Sequence, residues 1–293
     1  MEKTLKRRSG GEYAASAPSV IWLTLLFLIP TLIIFAVSLR SRGSFGGIGD
    51  EWTLDTLKSL ANPNYPEIIW RTLWLSVTCT GVTLLLAVPI AYYMARCKPW
   101  KRDLMMLLTI IPFWTNFLIR IFAWKLVLHP DGSLKHFLVW LNLLDQQTTL
   151  LYNPGAVLVV MIYTELPFAI LPIYAAAEKF DFSLFEAAMD LGAGRLYSFV
   201  KVFIPGIADG ILSACLMVFI PCIGSYVIPD LVGGTDSTMM GNVIVRLILE
   251  NRNLPAGAAV ASVMTLVMFL PLFFFLKGKR SGDGTAKPAK EVV

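Results

Sequence analysis

Six runs of about twenty mostly apolar residues dominate this chain and restrict its fold more than any other feature. They fall at 20–39, 68–94, 104–128, 154–177, 206–228 and 256–276. A hydrocarbon layer ~30 Å thick takes about 20 apolar residues to cross as a helix. Inside it no water satisfies a bare amide, so only helices or closed barrels can span, and these runs exceed the ~9–11 residues of a barrel strand. The expectation is an all-α integral membrane protein with six transmembrane helices. Composition agrees. The chain is 56% hydrophobic with mean hydropathy +0.66, and its 15% charged residues fall well below the ~25% of soluble domains. The first run is longer than a signal-peptide core and no small-residue cleavage pattern follows it, so it reads as a retained helix.

Six spans put both termini on one side. Sixteen Lys and Arg fall in the segments of that side, which are the two tails and the loops 95–103 and 178–203, against six in the opposite set. The positive-inside rule therefore places both termini in the cytoplasm. The expected layout is a cytoplasmic tail at 1–18, a membrane domain at 19–277 with a cytoplasmic loop at 178–205, and a second cytoplasmic tail at 278–293. On the outer side, 52–60 reads as a short amphipathic helix after a glycine-rich stretch, and 129–153 and 229–255 read as loops with short helical pieces.

Several function classes lose support here. The net charge of +5 is carried largely by tails and one short loop, so no nucleic-acid partner is expected. Cys79, Cys97, Cys215 and Cys222 show neither metal-ligand spacing nor a disulfide framework and read as packing residues. His129 and His136 alone do not make a metal site. No metal, cofactor or catalytic residue is expected. No G-x-x-x-x-G-K-[ST] phosphate loop occurs, so the chain offers no recognisable way to bind ATP. No internal repeat is visible.

Charges inside the spans need a reason, because each costs ~2.5–3.5 kcal/mol on insertion scales. Glu165 lies near the middle of its run, about 16 Å in at ~1.5 Å per residue. On a straight helix Arg120 lies about 12 Å from the outer end of its run, close to the same depth. Two readings stand: a structural Glu165–Arg120 pair, or a Glu165 that faces a solute pathway and attracts a cation, with Tyr163, Trp114 and Trp124 adding cation–π contacts. Asp230 at the outer mouth either meets the solute or a delivery protein, or caps its loop.

Between the fourth and fifth runs lies a polar hairpin that spanning a bilayer does not require. Its first half reads as a helix capped by Asp181 or Ser183, with Glu186 three residues beyond Ser183 as in a capping box. Leu184, Ala187, Ala188 and Leu191 form an apolar stripe, and the alanines allow close approach of another surface. Gly192 suits the left-handed residue that ends a helix. A second amphipathic piece follows, and Pro205 suits the first turn of the next membrane helix. So short a helix needs packing on both sides, and a partner is expected on one of them.

The spacing Glu186-Ala187-Ala188, Gly192, Val202-Phe203-Ile204-Pro205 resembles the signature loop of ABC importer permeases, E-A-A-x3-G-x9-I-x-L-P, with Val for Ile and Ile for Leu. The runs Ile111–Arg120, Leu166–Tyr174 and Ile228–Gly234 are similar to the spermidine/putrescine-type permeases, and the likeness covers roughly 65–275. The resemblance implies a type I ABC importer transmembrane domain in the inner membrane, with no catalysis of its own. It implies that Glu186, Ala187, Ala188, Gly192 and Pro205 couple to separate ABC ATPase subunits. It further implies a second, paralogous permease and an extracytoplasmic solute-binding protein as partners. Trp114, Arg120, Tyr163, Glu165 and Asp230 are the candidate pathway residues. The expected solute is a polyamine. Other small organic solutes such as amino-acid derivatives or phosphonates are the alternative, with an ion channel or intramembrane enzyme further behind.

Overall fold

The computed structural model describes residues 10–58, 60 and 63–282. The outer parts of both expected tails, 1–9 and 283–293, lie outside these residues. Almost every described segment is helical, and the chain divides into two compact units. One comprises residues before 63 together with 244–266; the other comprises 63–243 and the residues after 266.

In the first unit, α1 (Gly10–Leu23), a π-helical turn (Thr24–Leu28) and α2 (Ile29–Val37) run on without a break. Ser16–Val37 is strongly apolar and none of it is buried within the chain, as expected for a helix facing lipid or another subunit. An antiparallel hairpin follows, β1 (Arg40–Arg42) with β2 (Ile48–Trp52), pairing Arg40 with Trp52 and Arg42 with Ile48. Gly46 and Gly47 take φ of 90° and 81° to turn it, a region where glycine carries no Cβ penalty. Arg42 donates to the Asn251 carbonyl at 2.7 Å, and the Gly47 amide donates to that of Arg252 at 2.8 Å. The amphipathic helix expected at 52–60 is thereby corrected. Trp52 closes a strand under the Arg40 guanidinium (4.4 Å), and the helix begins only at Asp55, as α3 (Asp55–Lys58), with Leu60 in a 3-10 conformation and 59 and 61–62 outside the described residues.

The second unit is built on three long helices: α4 (Tyr65–Arg96), α8 (Pro154–Glu178) and α12 (Ala208–Ile223). Thirty-two residues of α4 reach about 48 Å, more than a bilayer core. Their seam is lined by small residues, among them Cys79, Ala87, Ala91, Ala169, Ala177 and Ala214, all fully buried. A Cβ on Gly210 would stand 2.4 Å from that of Ala176 and 3.0 Å from the Pro172 carbonyl. Small residues let backbones approach in a medium where helix association relies on close packing and not on hydrophobic exclusion. Cys79 and Cys222 meet here, Sγ to Sγ at 3.5 Å, as free buried thiols, consistent with the packing role.

Three expected spans keep their type with shifted ends: Ser16–Val37, Tyr65–Arg96 and Pro154–Glu178. The sixth is α15 (Leu254–Gly282), apolar over Leu254–Phe269. The other two need correction because neither is straight. The third is α5 (Pro99–Trp114) followed by α6 (Phe117–Val127), bent by 97°. Pro112 removes an amide near the end of α5, and Asn116 starts a new helix by accepting from the amides of Leu118 (2.9 Å) and Ile119 (3.5 Å). The fifth begins at Ala208 after a 73° bend at Ile207 and stops at Ile223. Residues 224–226 leave the helix and lead into α13 (Val227–Val232). The outer segments also carry α7 (Ser133–Trp140) and α14 (Met240–Val245).

Candidate functional site

Two places in the second unit carry candidate residues. The first is the hairpin between α8 and α12. Asp181 caps α9 (Phe182–Asp190) by accepting from the Ser183 amide at 3.0 Å. The Ser183 side chain and, after it, this amide bond favour the ionised carboxylate and hold Asp181 below its ordinary pKa. Ser183 is therefore not the cap, and the capping box expected with Glu186 does not form. Glu186 instead faces Arg96 at the end of α4, 3.8 Å away. Gly192 takes φ +91°. Its amide donates to Met189 (2.9 Å) and that of Ala193 to Ala188 (3.1 Å), the paired bonds of a Schellman turn. Gly194 then leads into α10 (Arg195–Ser198), a π-helical turn (Phe199–Phe203) and α11 (Ile204–Gly206). Pro205 does not open the membrane helix; it lies in α11, on the near side of the Ile207 bend.

Two faces of α9 do different work. Phe182, Phe185 and Met189 turn inward, Phe185 being fully buried. They join Tyr92, Phe180, Phe199 and the fully buried Phe203 in an aromatic cluster with centroid separations of 4.9–6.1 Å. Arg96 closes it, donating to the Tyr92 hydroxyl at 2.8 Å and lying over Tyr92, Phe182 and Phe185. Edge-to-face rings and a stacked guanidinium add directional energy to plain burial. The opposite face leaves Leu184, Ala187 and Leu191 exposed, Leu191 at 90%, with Leu196 and Tyr197 exposed beyond the turn. These are three of the four residues of the apolar stripe read from the sequence; the fourth, Ala188, is half-buried. Sequence reasoning missed Tyr92 and Arg96, which sit more than eighty residues away in α4; nothing in their local pattern points to the hairpin.

The second place is a cavity of about 510 Å³ between α5, α6, α8 and the segment 221–228, lined by Phe113, Phe117, Arg120, Glu165, Phe168 and Tyr226 among others. That size is in the range of small-ligand sites. Glu165, at the middle of α8, is only 8% exposed. Its Oε2 and the Nε of Arg120 are both buried without a hydrogen-bond partner. Arg120 rests on Phe113 (5.4 Å) and Phe117 (6.0 Å), and Phe113 meets Phe168 edge-on at 4.7 Å. The depth of Arg120 read from a straight helix does not survive the 97° bend, yet the bend brings it to the same cavity as Glu165. No hydrogen bond or ion pair joins them. The latched Glu165–Arg120 pair is therefore not formed in this state.

The other pathway candidates are placed elsewhere. Trp114 is 83% exposed at the end of α5. Tyr163 packs edge-on against Trp124 (5.3 Å) and lines a separate apolar groove with Ile90, Met105 and Pro167. Asp230 is exposed in the first turn of α13, where an acid suits the helix dipole. None of the three lines the cavity. Its walls come from phenylalanines and Tyr226, which sequence reasoning did not select. The spacing Phe113-x3-Phe117-x2-Arg120 was the available signal.

Residues 87–278 match the binding-protein-dependent transport system inner membrane component family. The spermidine/putrescine transport system permease protein PotB of Escherichia coli (strain K12) is 37% identical over 259 residues, covering 88% of this chain and 94% of that protein. PotB of Haemophilus influenzae is 37% identical over 88% of this chain and 91% of its own length. Among solved structures, a bacterial alginate ABC transporter in complex with its pentasaccharide-bound periplasmic protein superposes with TM-score 0.67 at 17% identity. It covers 90% of this chain and 91% of the other, and so shares the fold. With several apolar helices long enough to span, a Schellman-closed E-A-A hairpin and a match over most of its length, the chain belongs to the binding-protein-dependent transport system inner membrane component family, as a permease subunit with a type I ABC importer transmembrane domain.

Proposed function

We propose that this permease forms half of the membrane pathway for a polyamine, spermidine or putrescine, in the inner membrane with both termini cytoplasmic. The observation that carries the solute class is Glu165, a deeply buried carboxylate with an unpartnered oxygen in an aromatic-walled cavity. Such a group favours a cation, and rings add cation–π attraction for ammonium. The two relatives bearing spermidine/putrescine names support the same class. Arg96–Glu186 and Arg102–Glu178 (3.5 Å) gather the basic loop 95–103 and the hairpin at one end of the helix core, in keeping with a shared cytoplasmic side.

The hairpin's exposed stripe of Leu184, Ala187 and Leu191, with Leu196 and Tyr197, is the docking face for a separate ABC ATPase. A second, paralogous permease completes the pathway, and an extracytoplasmic solute-binding protein delivers the amine. Closure of the ATPase pair moves the hairpin, and the aromatic cluster passes that motion to α4 through Tyr92 and Arg96. The helices then rotate as rigid bodies between inward- and outward-open states. The test is ATP-dependent uptake into proteoliposomes holding the complete transporter, with spermidine and putrescine set against amino-acid derivatives and phosphonates. Polyamine uptake that falls in Glu165→Gln while the complex still assembles is the expected result. Uptake of a non-cationic solute alone, or accumulation by this chain without nucleotide, refutes the reading.

A further inference from the structure

The cavity contains one carboxylate, Glu165, and one guanidinium, Arg120, that are neighbours without being partners. Glu165 is more than nine-tenths buried, and its Oε2 accepts no hydrogen bond. The two threonines of the lining cannot serve it, because Thr164 donates to the Val160 carbonyl (2.8 Å) and Thr115 to that of Pro112 (2.6 Å). Arg120 is the only cation among the lining residues. Its Nε is also unpartnered, and its guanidinium is supported from the side by the faces of Phe113 and Phe117.

A pair retained for stability alone is expected to be closed, because open buried charges lose both hydration and each other. Here the guanidinium lines the same cavity as the carboxylate yet stays on an aromatic shelf instead of binding it. Rings that hold a guanidinium hold an alkylammonium by the same quadrupole attraction. Arg120 also lies on α6, which starts afresh at Asn116 after the 97° bend.

Resting on the polyamine-permease reading, we propose that Arg120 is a tethered stand-in for the transported amine. It serves as a through-space counter-charge to Glu165 while the cavity holds no ammonium, and an arriving ammonium takes the unoccupied place at the carboxylate. The tethered cation lowers the affinity of the site for amine and so favours release, at the same time as it keeps Glu165 from being left without any positive neighbour. The site thereby selects solutes that bring a positive charge of their own.

Equilibrium binding of radiolabelled putrescine to the assembled permease–ATPase complex, without the solute-binding protein, tests this directly. Arg120→Gln is expected to tighten binding on the order of tenfold, the effect of deleting one like charge from the same partly screened cavity. Arg120→Lys is expected to restore wild-type affinity, and Glu165→Gln to weaken it. Weaker or unchanged binding in Arg120→Gln overturns the proposal. A second arm needs no amine: thermal unfolding of the same complex carrying Arg120→Gln, Glu165→Gln or both. A double variant less damaged than the sum of the singles supports the counter-charge, and strict additivity overturns it. A wild-type complex that binds no putrescine or spermidine refutes the polyamine assignment. In that case the thermal cycle still decides the role of Arg120, so the two failures are read separately.

Discussion

Replacing Gly192 with valine isolates the mechanical role of the hairpin. Gly192 sits at φ +91°, and no atom lies within 4 Å of where its Cβ would be. A side chain there meets no crowding, so the whole penalty is conformational. For an ordinary L-residue the left-handed region costs roughly 1–2 kcal/mol, and a β-branched residue costs more. The turn can evade this cost only by giving up the Gly192–Met189 and Ala193–Ala188 bonds, 2.9 and 3.1 Å, each worth about 1 kcal/mol net. The first route destabilises the turn and the second distorts the end of α9 beside the exposed Leu191, while the buried face, Phe185 and Phe203, stays packed. The expected outcome is a complex that still assembles and hydrolyses ATP but moves less solute per ATP. Uptake and phosphate release are measured on the same proteoliposomes, with Gly192→Asn as control, since asparagine tolerates the left-handed region. Wild-type uptake in Gly192→Val refutes the hairpin argument, and so does failure of Gly192→Asn to exceed it.

Gly210→Val tests the helix seam. Its Cβ would meet Ala176 at 2.4 Å, and overpacking of this kind costs typically 1–3 kcal/mol, read as a lower unfolding temperature of the solubilised complex. Phe203→Ala removes a fully buried ring from the cluster under the hairpin. It is expected to cost about 3–5 kcal/mol and to loosen the hairpin amides in hydrogen exchange before those of α8. Glu186→Lys places a like charge opposite Arg96, 3.8 Å from the present carboxylate, and is expected to reduce the ATPase recovered with the permease on affinity purification. Acid acts on the cap of α9. Asp181 titrates below its ordinary 3.8 because it accepts from Ser183, so its contribution is present above that value and is lost as pH falls through the lower folded one. Faster exchange of the first α9 amides below about pH 3.8 is the expected result, and Asp181→Asn is expected to remove that pH dependence.

How much was legible varies from element to element. The helix ends of the hairpin could be read because their causes are local: Asp181 bonds two residues on, and Gly192 relieves its own backbone. The inward face of α9 could not be assigned from its sequence. Its stripe of Leu184, Ala187 and Leu191 is as apolar as Phe182, Phe185 and Met189, and Tyr92 and Arg96 in a distant helix decide which of the two is covered. The same holds for the cavity. Glu165 and Arg120 were visible as charges where lipid should be, but their relation depended on a bend that an apolar run does not reveal. Trp114 and Tyr163 were reasonable cation–π candidates by composition, and the bend at Asn116 replaced them with Phe113 and Phe117.

Hydropathy and charge alone established that this chain crosses a membrane as helices, because lipid admits no other solution for runs of that length and composition. The spacing around Glu186 and Gly192 established the turn that links two of those helices, because capping and left-handed backbone are matters of a few consecutive residues. Tertiary structure decided which rings line the cavity, which side of the hairpin stays exposed, and that Glu165 and Arg120 share the cavity without binding. Those outcomes depend on where helices far apart in the chain bend and meet, and the physical reason is that packing, unlike helix formation, is settled between segments and not within them.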